Sequence, residues 1–425
     1  MYTTYMLDIK FIRENKDIVA EGAKRKHIDL DIDKLVMLDD KRLEMLSIAE
    51  GLRFEQKKMN ITMASEKDEA VRNQIIEEMR LVKEDLKEKE EALREVMIEW
   101  QSLMIQVPNV PDMTVPEGAS DEDNVEIRSW GEIPKFNFVP KDHIELMEKL
   151  DMVDFERGVK VSGFRGYFMK NDGAKLFFAL WQYFLNYFIE QGYTPMIVPS
   201  LVRKESLIGT GMLPQSEDDL YKVGENEYLA GTAEVATMGY YMDEIIDKKD
   251  LPKKFISFSP CFRAEAGKHG ADTKGIIRVH EFFKIEQVIL CEASHQASVD
   301  LHEEITKHVE HLMQELKLPY HVVVNCGGDL GLGQVKKYDI EAWMPSQNKY
   351  RETHSSSYFH DFQTRRLNIK YRDDDGKLRF VHSLNNTACA TSRLPAALVE
   401  NYQQEDGSII VPEVLRAYMG KDIIK

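Results

Sequence analysis

At 425 residues, 43% of them hydrophobic, the chain is long enough to bury a large core and to divide into more than one domain. A formal net charge of −17 excludes a surface that attracts polyanions everywhere, so any nucleic-acid contact must be a local basic stripe. Four cysteines, Cys261, Cys291, Cys326 and Cys389, stand far apart without paired histidines, which argues against a disulfide framework or a structural zinc site.

The opening MYTTYMLDIKFIRENK has no long apolar stretch after a basic start and does not read as a secretory signal. From Asp31 to Met104 the sequence predicts two long amphipathic helices with almost no Pro or Gly. The second places Ile75, Met79, Val82, Leu86, Leu93, Val96, Trp100 and Leu103 in a 4-3 alternation broken at Lys89, the seam of a coiled coil. The first supplies Leu35, Leu38, Leu46, Leu52 and Met59, and the polar stretch Thr62 to Asp68 serves as the tip. The expected result is an antiparallel hairpin about 50 Å long at 1.5 Å per residue. Such an arm has too little core for an enzyme, so its use is reach. It carries 13 basic and 19 acidic residues, and Arg53, Lys57, Lys58, Arg72, Arg80 and Lys83 are the candidates for an RNA-facing stripe. For each, an ordinary solvated helix surface is the favoured reading.

After Pro108 the rise in Pro, Asp and Gly marks a connection, which divides the chain into 1–107 with its arm at 31–104, a linker at 108–135, and a body at 136–425. The apolar window Leu176 to Ile189 is interrupted by Gln182 and Asn186; it suits a core or a subunit interface and no membrane span. Hairpin-like runs at Phe255–Glu265 and Gly275–Leu290 predict an antiparallel sheet with flanking helices, an α+β body. No GxxxxGK[ST] phosphate loop is present.

Within that body, FRAEAGKHGADTKGIIRVHEFFKIE spaces its functional side chains evenly. Arg263 and Glu265 are expected on one strand face, with Arg278, Phe282 and Glu286 returning on the partner strand. A guanidinium fork grips phosphate oxygens with two bonds, and Phe282 offers a flat apolar face to a purine. An alternative is a surface hairpin laced with ion pairs.

This segment resembles motif 2 of the class II aminoacyl-tRNA synthetases, in the form found in the seryl-tRNA synthetase family. Tyr193 to Ser200 is similar to motif 1, with Pro199 at its proline, and Leu384 to Gln403 is similar to motif 3, running through Arg393. Gly231 to Val235 resembles the amino-acid loop, Arg351 to Ser356 the second acidic nucleotide segment, and the stretch after Pro108 the family linker. The sequence departs at Asn386-Thr387-Ala388, where many members have Gly-Ser-Gly, at Ser392, and at His354, where a small residue is usual.

The resemblance implies an N-terminal coiled-coil tRNA-binding domain, a class II antiparallel catalytic sheet, and serine–tRNA ligase activity using L-serine, ATP, Mg2+ and tRNA(Ser) in a cytoplasmic homodimer. Whether tRNA(Sec) is charged stays open. It assigns catalysis to Arg263, Arg393 and Glu352, and serine to Thr232, Ala233, Glu234, Glu286 and Thr387. ATP falls to Arg263, Ala264, Glu265, Val279, Phe282, Glu352, Thr353, His354, Ser355 and Arg393, and the metal to Glu352 and Ser355. Two other readings remain: a small-amino-acid ligase charging a different carrier, and an inactive coiled-coil paralogue.

Overall fold

The computed structural model describes residues 7–266 and 272–425, so the middle of the predicted Gly-rich loop lies outside the described residues. Contacts divide the chain into two compact units, one made mainly of residues 28–108 with 6–24, the other mainly of residues 109–425.

In the first unit, helix α1 (Ile32–Ser65) and helix α2 (Glu69–Met104) form the expected hairpin, turning at residues 66–68. Asp68 caps α2 by accepting from the amides of Ala70 and Val71, which satisfies two of the donors a helix start leaves open. Leu35, Leu38, Ile75, Leu86, Val96 and Trp100 are buried along the seam. Ala49 is fully buried as well, its small side chain allowing close approach. Short helices Ile9–Glu14 and Lys16–Arg25 bring Ile12 and Val19 to the broad end of this core, next to Trp100 and Met104.

The second unit is built on one eight-stranded sheet. In chain order its strands are β1 (Val125–Trp130), β2 (Thr194–Ile197), β3 (Lys253–Phe262), β4 (Glu281–Cys291), β5 (Tyr320–Val324), β6 (Lys336–Met344), β7 (Lys349–His360) and β8 (His382–Ala390). Their spatial order is β1-β5-β6-β7-β8-β4-β3-β2; every pair is antiparallel except β2 with β3. Strand β1 falls inside the span read from sequence as linker. Strand β7, read only as a motif, is the longest of the sheet at 12 residues.

Helix α3 (Asn171–Glu190) turns Leu176, Phe177, Leu180, Phe184 and Phe188 inward at helical spacing. They meet Ile305, Val309 and Leu312 of helix α5 (His295–Glu315) and Ile285 and Ile289 of β4 in the main core. Full burial of each large side chain contributes about 1.5–3 kcal/mol. Helix α4 (Ala233–Gly239) begins inside the segment read from sequence as the amino-acid loop. All four cysteines are buried free thiols. No helix among the described residues is long and apolar enough to cross a membrane.

Of the register shifts in the sheet, two lie beside the residues predicted to be functional. Between β6 and β7 the pairing passes from Ile340↔His354 to Glu341↔Glu352, leaving Thr353 as an inserted residue. Between β4 and β8 it passes from Ile285↔Cys389 to Glu286↔Thr387, leaving Ala388 as the insert. An inserted residue breaks the strict alternation of a strand and re-aims the side chains beside it.

Candidate active site

Because side chains alternate along β4, Phe282, Lys284 and Glu286 point away from the core that receives Ile285 and Ile289. A cavity opens on that face. The turn before β4 contributes Arg263, Glu265, Arg278 and Val279; β4 contributes Phe282 and Lys284. Strand β7 contributes Glu352 and Thr353, both at its bulge, and β8 with the helix that follows contributes Thr387 and Arg393.

Even spacing along two paired strands, expected from sequence, does not bring the hairpin residues together. Strand β3 ends at Phe262 and β4 starts only at Glu281, so Arg263, Glu265 and Arg278 all lie outside regular strand. Glu265 adopts φ 56°, in the left-handed region, which turns the chain and breaks the alternation. Convergence comes from ion pairing: Arg278 Nη1 donates to Glu265 Oε2 at 2.5 Å, and Arg165 Nη1 stands 3.7 Å from the same oxygen. Arg263 is exposed, with its guanidinium 5.3 Å from the Phe282 ring centre and two nitrogens 3.4 Å from the Gly231 carbonyl.

Arg393 opens helix α6 (Arg393–Asn401) and donates through Nη1 to the Glu352 carbonyl at 2.9 Å and to Glu352 Oε2 at 2.8 Å. Burial acts to raise the Glu352 carboxyl, but Arg393 and Lys337 outweigh it and hold the group down at about 2. The carboxylate is therefore an anion throughout the physiological range.

Beside this cavity, Thr232, Glu234 and Glu286 form a buried polar niche. Thr232 caps α4, accepting the Glu234 amide at 3.2 Å, and its hydroxyl donates to Glu286 Oε2 at 3.3 Å. Lys284 forms an ion pair with the same Glu286 oxygen. Thr387 pairs with Glu286 in the sheet, and Ala233 is buried in the first turn of α4. Glu234 accepts from Gln363 Nε2 at 2.6 Å, and Ser383 Oγ donates to Gln363 Oε1 at 2.7 Å, which fixes the amide's orientation. Burial raises the Glu234 carboxyl to about 7, assisted by the neighbouring Glu286 and opposed by Gln363.

Three predicted ATP residues stand off the cavity. Ala264 donates its amide to the Asp219 carbonyl at 2.9 Å. Ser355 pairs in register with Asp339, whose carboxyl burial raises to about 6. His354 is buried one residue past the bulge, hydrogen-bonded to Thr353 Oγ1 at 2.8 Å, and burial holds its imidazole down at about 3. The inserted Thr353 places His354 off the face that Glu352 occupies. Sequence reasoning missed Lys284 and Gln363 as site residues. The even spacing of Phe282, Lys284 and Glu286 contained the signal for Lys284; Gln363 comes from a distant segment and left none.

The comparisons with known proteins cover both units. Residues 6–111 match the model of the seryl-tRNA synthetase N-terminal domain, and residues 217–402 match the class II tRNA synthetase core domain of the G, H, P, S and T enzymes. A serine–tRNA ligase of Deinococcus radiodurans is 43% identical, with 98% of each chain aligned, and one of Clostridium tetani is 44% identical over 99% of this chain and all of its own. Among solved structures, seryl-tRNA synthetase from Pyrococcus horikoshii, complexed with ATP, is 39% identical with a TM-score of 0.88 and 99% coverage of both chains. The cytoplasmic enzyme of Naegleria fowleri, in complex with AMP, is 33% identical with a TM-score of 0.85 and the same coverage.

Proposed function

The chain belongs to the seryl-tRNA synthetase family of class II aminoacyl-tRNA synthetases, and we propose that it activates L-serine with ATP and transfers the seryl group to tRNA(Ser). The observation that carries this reading is that Arg263 and Arg393, from separate segments, line one cavity with Phe282 and Thr387. The buried Glu286 and Glu234 lie in a niche alongside.

A serine carboxylate attacks the α-phosphate only when the repulsion between two anions is screened and pyrophosphate leaves in line, so the protein supplies position and positive charge. Arg263 takes the α-phosphate and Arg393 the distal phosphates, while Phe282 stacks on adenine and Glu265 accepts from its amino group. The carboxylate of Glu352 is a hard donor that fits Mg2+, and the pair with Arg393 keeps it ionised, whereas Ser355, paired with Asp339 off the cavity, is not placed to join it. Bound there, Mg2+ supplies charge neutralisation for the departing pyrophosphate.

In the niche, Glu234 receives the serine ammonium, while Glu286 and Thr387 receive its hydroxyl. A buried site built to hydrogen-bond a hydroxyl rejects glycine and alanine by leaving its own groups unpaired. In the second step a ribose hydroxyl of the tRNA end attacks the seryl carbonyl and AMP departs, with no protein nucleophile. Residues 1–107 act as the tRNA-binding domain and 136–425 as the catalytic domain, with 108–135 as a linker that also adds strand β1 to the catalytic sheet, working as a cytoplasmic homodimer.

The test is amino-acid-dependent exchange of labelled pyrophosphate into ATP, followed by charging of tRNA(Ser) with and without residues 31–104. Serine-only exchange that survives removal of the arm, together with loss of charging, supports the reading. Exchange without charging by the full chain indicates another carrier. No exchange with any amino acid indicates an inactive scaffold.

A further inference from the structure

The serine niche holds one cation that the roles above leave unused. Lys284 stands between the phosphate-binding side of the cavity and the niche, on the same face of β4 as Phe282 before it and Glu286 after it. It is 6% exposed and Glu286 is 2% exposed, so both charges have lost most of their water. The ammonium is paired with Glu286 through Oε2, the oxygen that also accepts the Thr232 hydroxyl at 3.3 Å. Without substrate, then, the carboxylate assigned to the serine hydroxyl is engaged by the protein itself.

We propose that Lys284 exchanges partners when serine binds, leaving Glu286 for the substrate carboxylate, and so serves as a catalytic residue of the activation step; this rests on the function proposed above. The exchange does two things at once. It places a positive charge on the carboxylate that must approach the α-phosphate, where an uncompensated anion is costly in a desolvated site. It also frees Glu286 Oε2 to accept from the serine hydroxyl. Alanine draws Lys284 away in the same manner but has no hydroxyl to return, so Glu286 is left buried with Thr232 alone; serine satisfies both groups. In the reaction, one serine carboxylate oxygen forms a bond to the α-phosphorus. The bond from that phosphorus to the α–β bridging oxygen breaks, and its electron pair leaves on pyrophosphate. Lys284 keeps its proton throughout and donates to the carboxylate oxygen that does not attack.

Lys284→Met and Lys284→Arg, each checked for unchanged melting temperature and ATP affinity, test this. The decisive readout compares inhibition of serine-dependent exchange by serinamide, which lacks the carboxylate charge, with the apparent affinity for serine. The full-length protein is expected to prefer serine strongly. In Lys284→Met that preference collapses toward unity while kcat for exchange falls about 10²-fold, the scale for losing one well-placed donor; Lys284→Arg restores part of both. If Lys284→Met keeps the preference for serine over serinamide, the proposal is overturned, whatever happens to kcat. Should Lys284→Met prove unstable, the same comparison in the neutral Lys284→Gln decides: an unaltered serine-to-serinamide ratio there overturns carboxylate contact. Absence of serine-dependent exchange in the unmodified protein would instead remove the parent function.

Discussion

The helical hairpin and the eight-stranded sheet treat charge in opposite ways. Along the hairpin, ion pairs such as Arg80 with Glu77 and Glu84, or Arg53 with Glu90, are at the surface and mostly exposed. They decorate a shape already set by a seam of apolar residues, and exposed pairs of this kind are worth little. In the sheet, Lys284 with Glu286 and Arg393 with Glu352 sit in or beside a cavity, at positions set by two bulges. The first region is specified by periodicity and, apart from the buried Asp39 held by Arg13 and Arg42, tolerates exchange of its charges. The second is specified by register and does not.

Four experiments can break or sharpen that contrast. The largest effect is expected for Trp100→Ala, which empties the best-packed part of the helical core; about 3–5 kcal/mol of that unit's stability goes with it, read by denaturation of residues 1–108. Pyrophosphate exchange should be normal in the surviving folded fraction, and a primary loss of exchange would contradict the separation of roles. Arg393→Ala should cut exchange about 10²–10³-fold with little change in serine affinity. Equal losses in both would show that the two binding regions are not separate.

The third concerns pH. The Glu234 carboxyl ionises only near 7 in the fold, against an ordinary value of 4.5. An ammonium needs the ionised form, so the KM for serine is expected to rise about tenfold per unit as the pH falls below about 7. Because the fold holds this proton more tightly than the unfolded chain does, the same group costs stability as the pH rises from 4.5 through about 7. In Glu234→Gln the pH dependence of serine binding should flatten; a persisting dependence points to another group. The smallest effect is expected for Arg80→Ala, with no measurable change in melting temperature or in exchange, since the pairs it breaks with Glu77 and Glu84 are mostly exposed. A clear loss of tRNA charging there would instead make Arg80 part of the RNA-facing stripe.

How far the sequence could be read follows from the same contrast. The seam residues repeat every three or four positions, so the helices were legible in one dimension, although the tip read at Thr62 to Asp68 is shorter, because the first helix continues through Ser65. Strand β1 was not, because it is an edge strand with five of its six residues exposed and so lacks alternation. Strand β7 was missed as a strand because Ser356 and Ser357 are polar yet buried. Partners from distant segments satisfy them: Thr306 Oγ1 lies 2.9 Å from Ser356 Oγ, and Gln334 Nε2 donates to Ser357 at 2.8 Å. At the candidate site, Arg263, Phe282, Glu352 and Arg393 were legible by type and order. The left-handed turn at Glu265, the inserted Thr353 and the displacement of His354 were not, since nothing local distinguishes a bulged strand from a regular one.

The buried thiols have a consequence of their own. Burial pushes Cys291 up to about 12 and raises Cys261 and Cys389 as well, so these three are held as neutral thiols away from water. Because thiolates are the species that peroxides and alkylating agents attack, the folded catalytic unit should be slow to inactivate under oxidative stress. Any modification at those sulfurs would time the breathing of the sheet that encloses them.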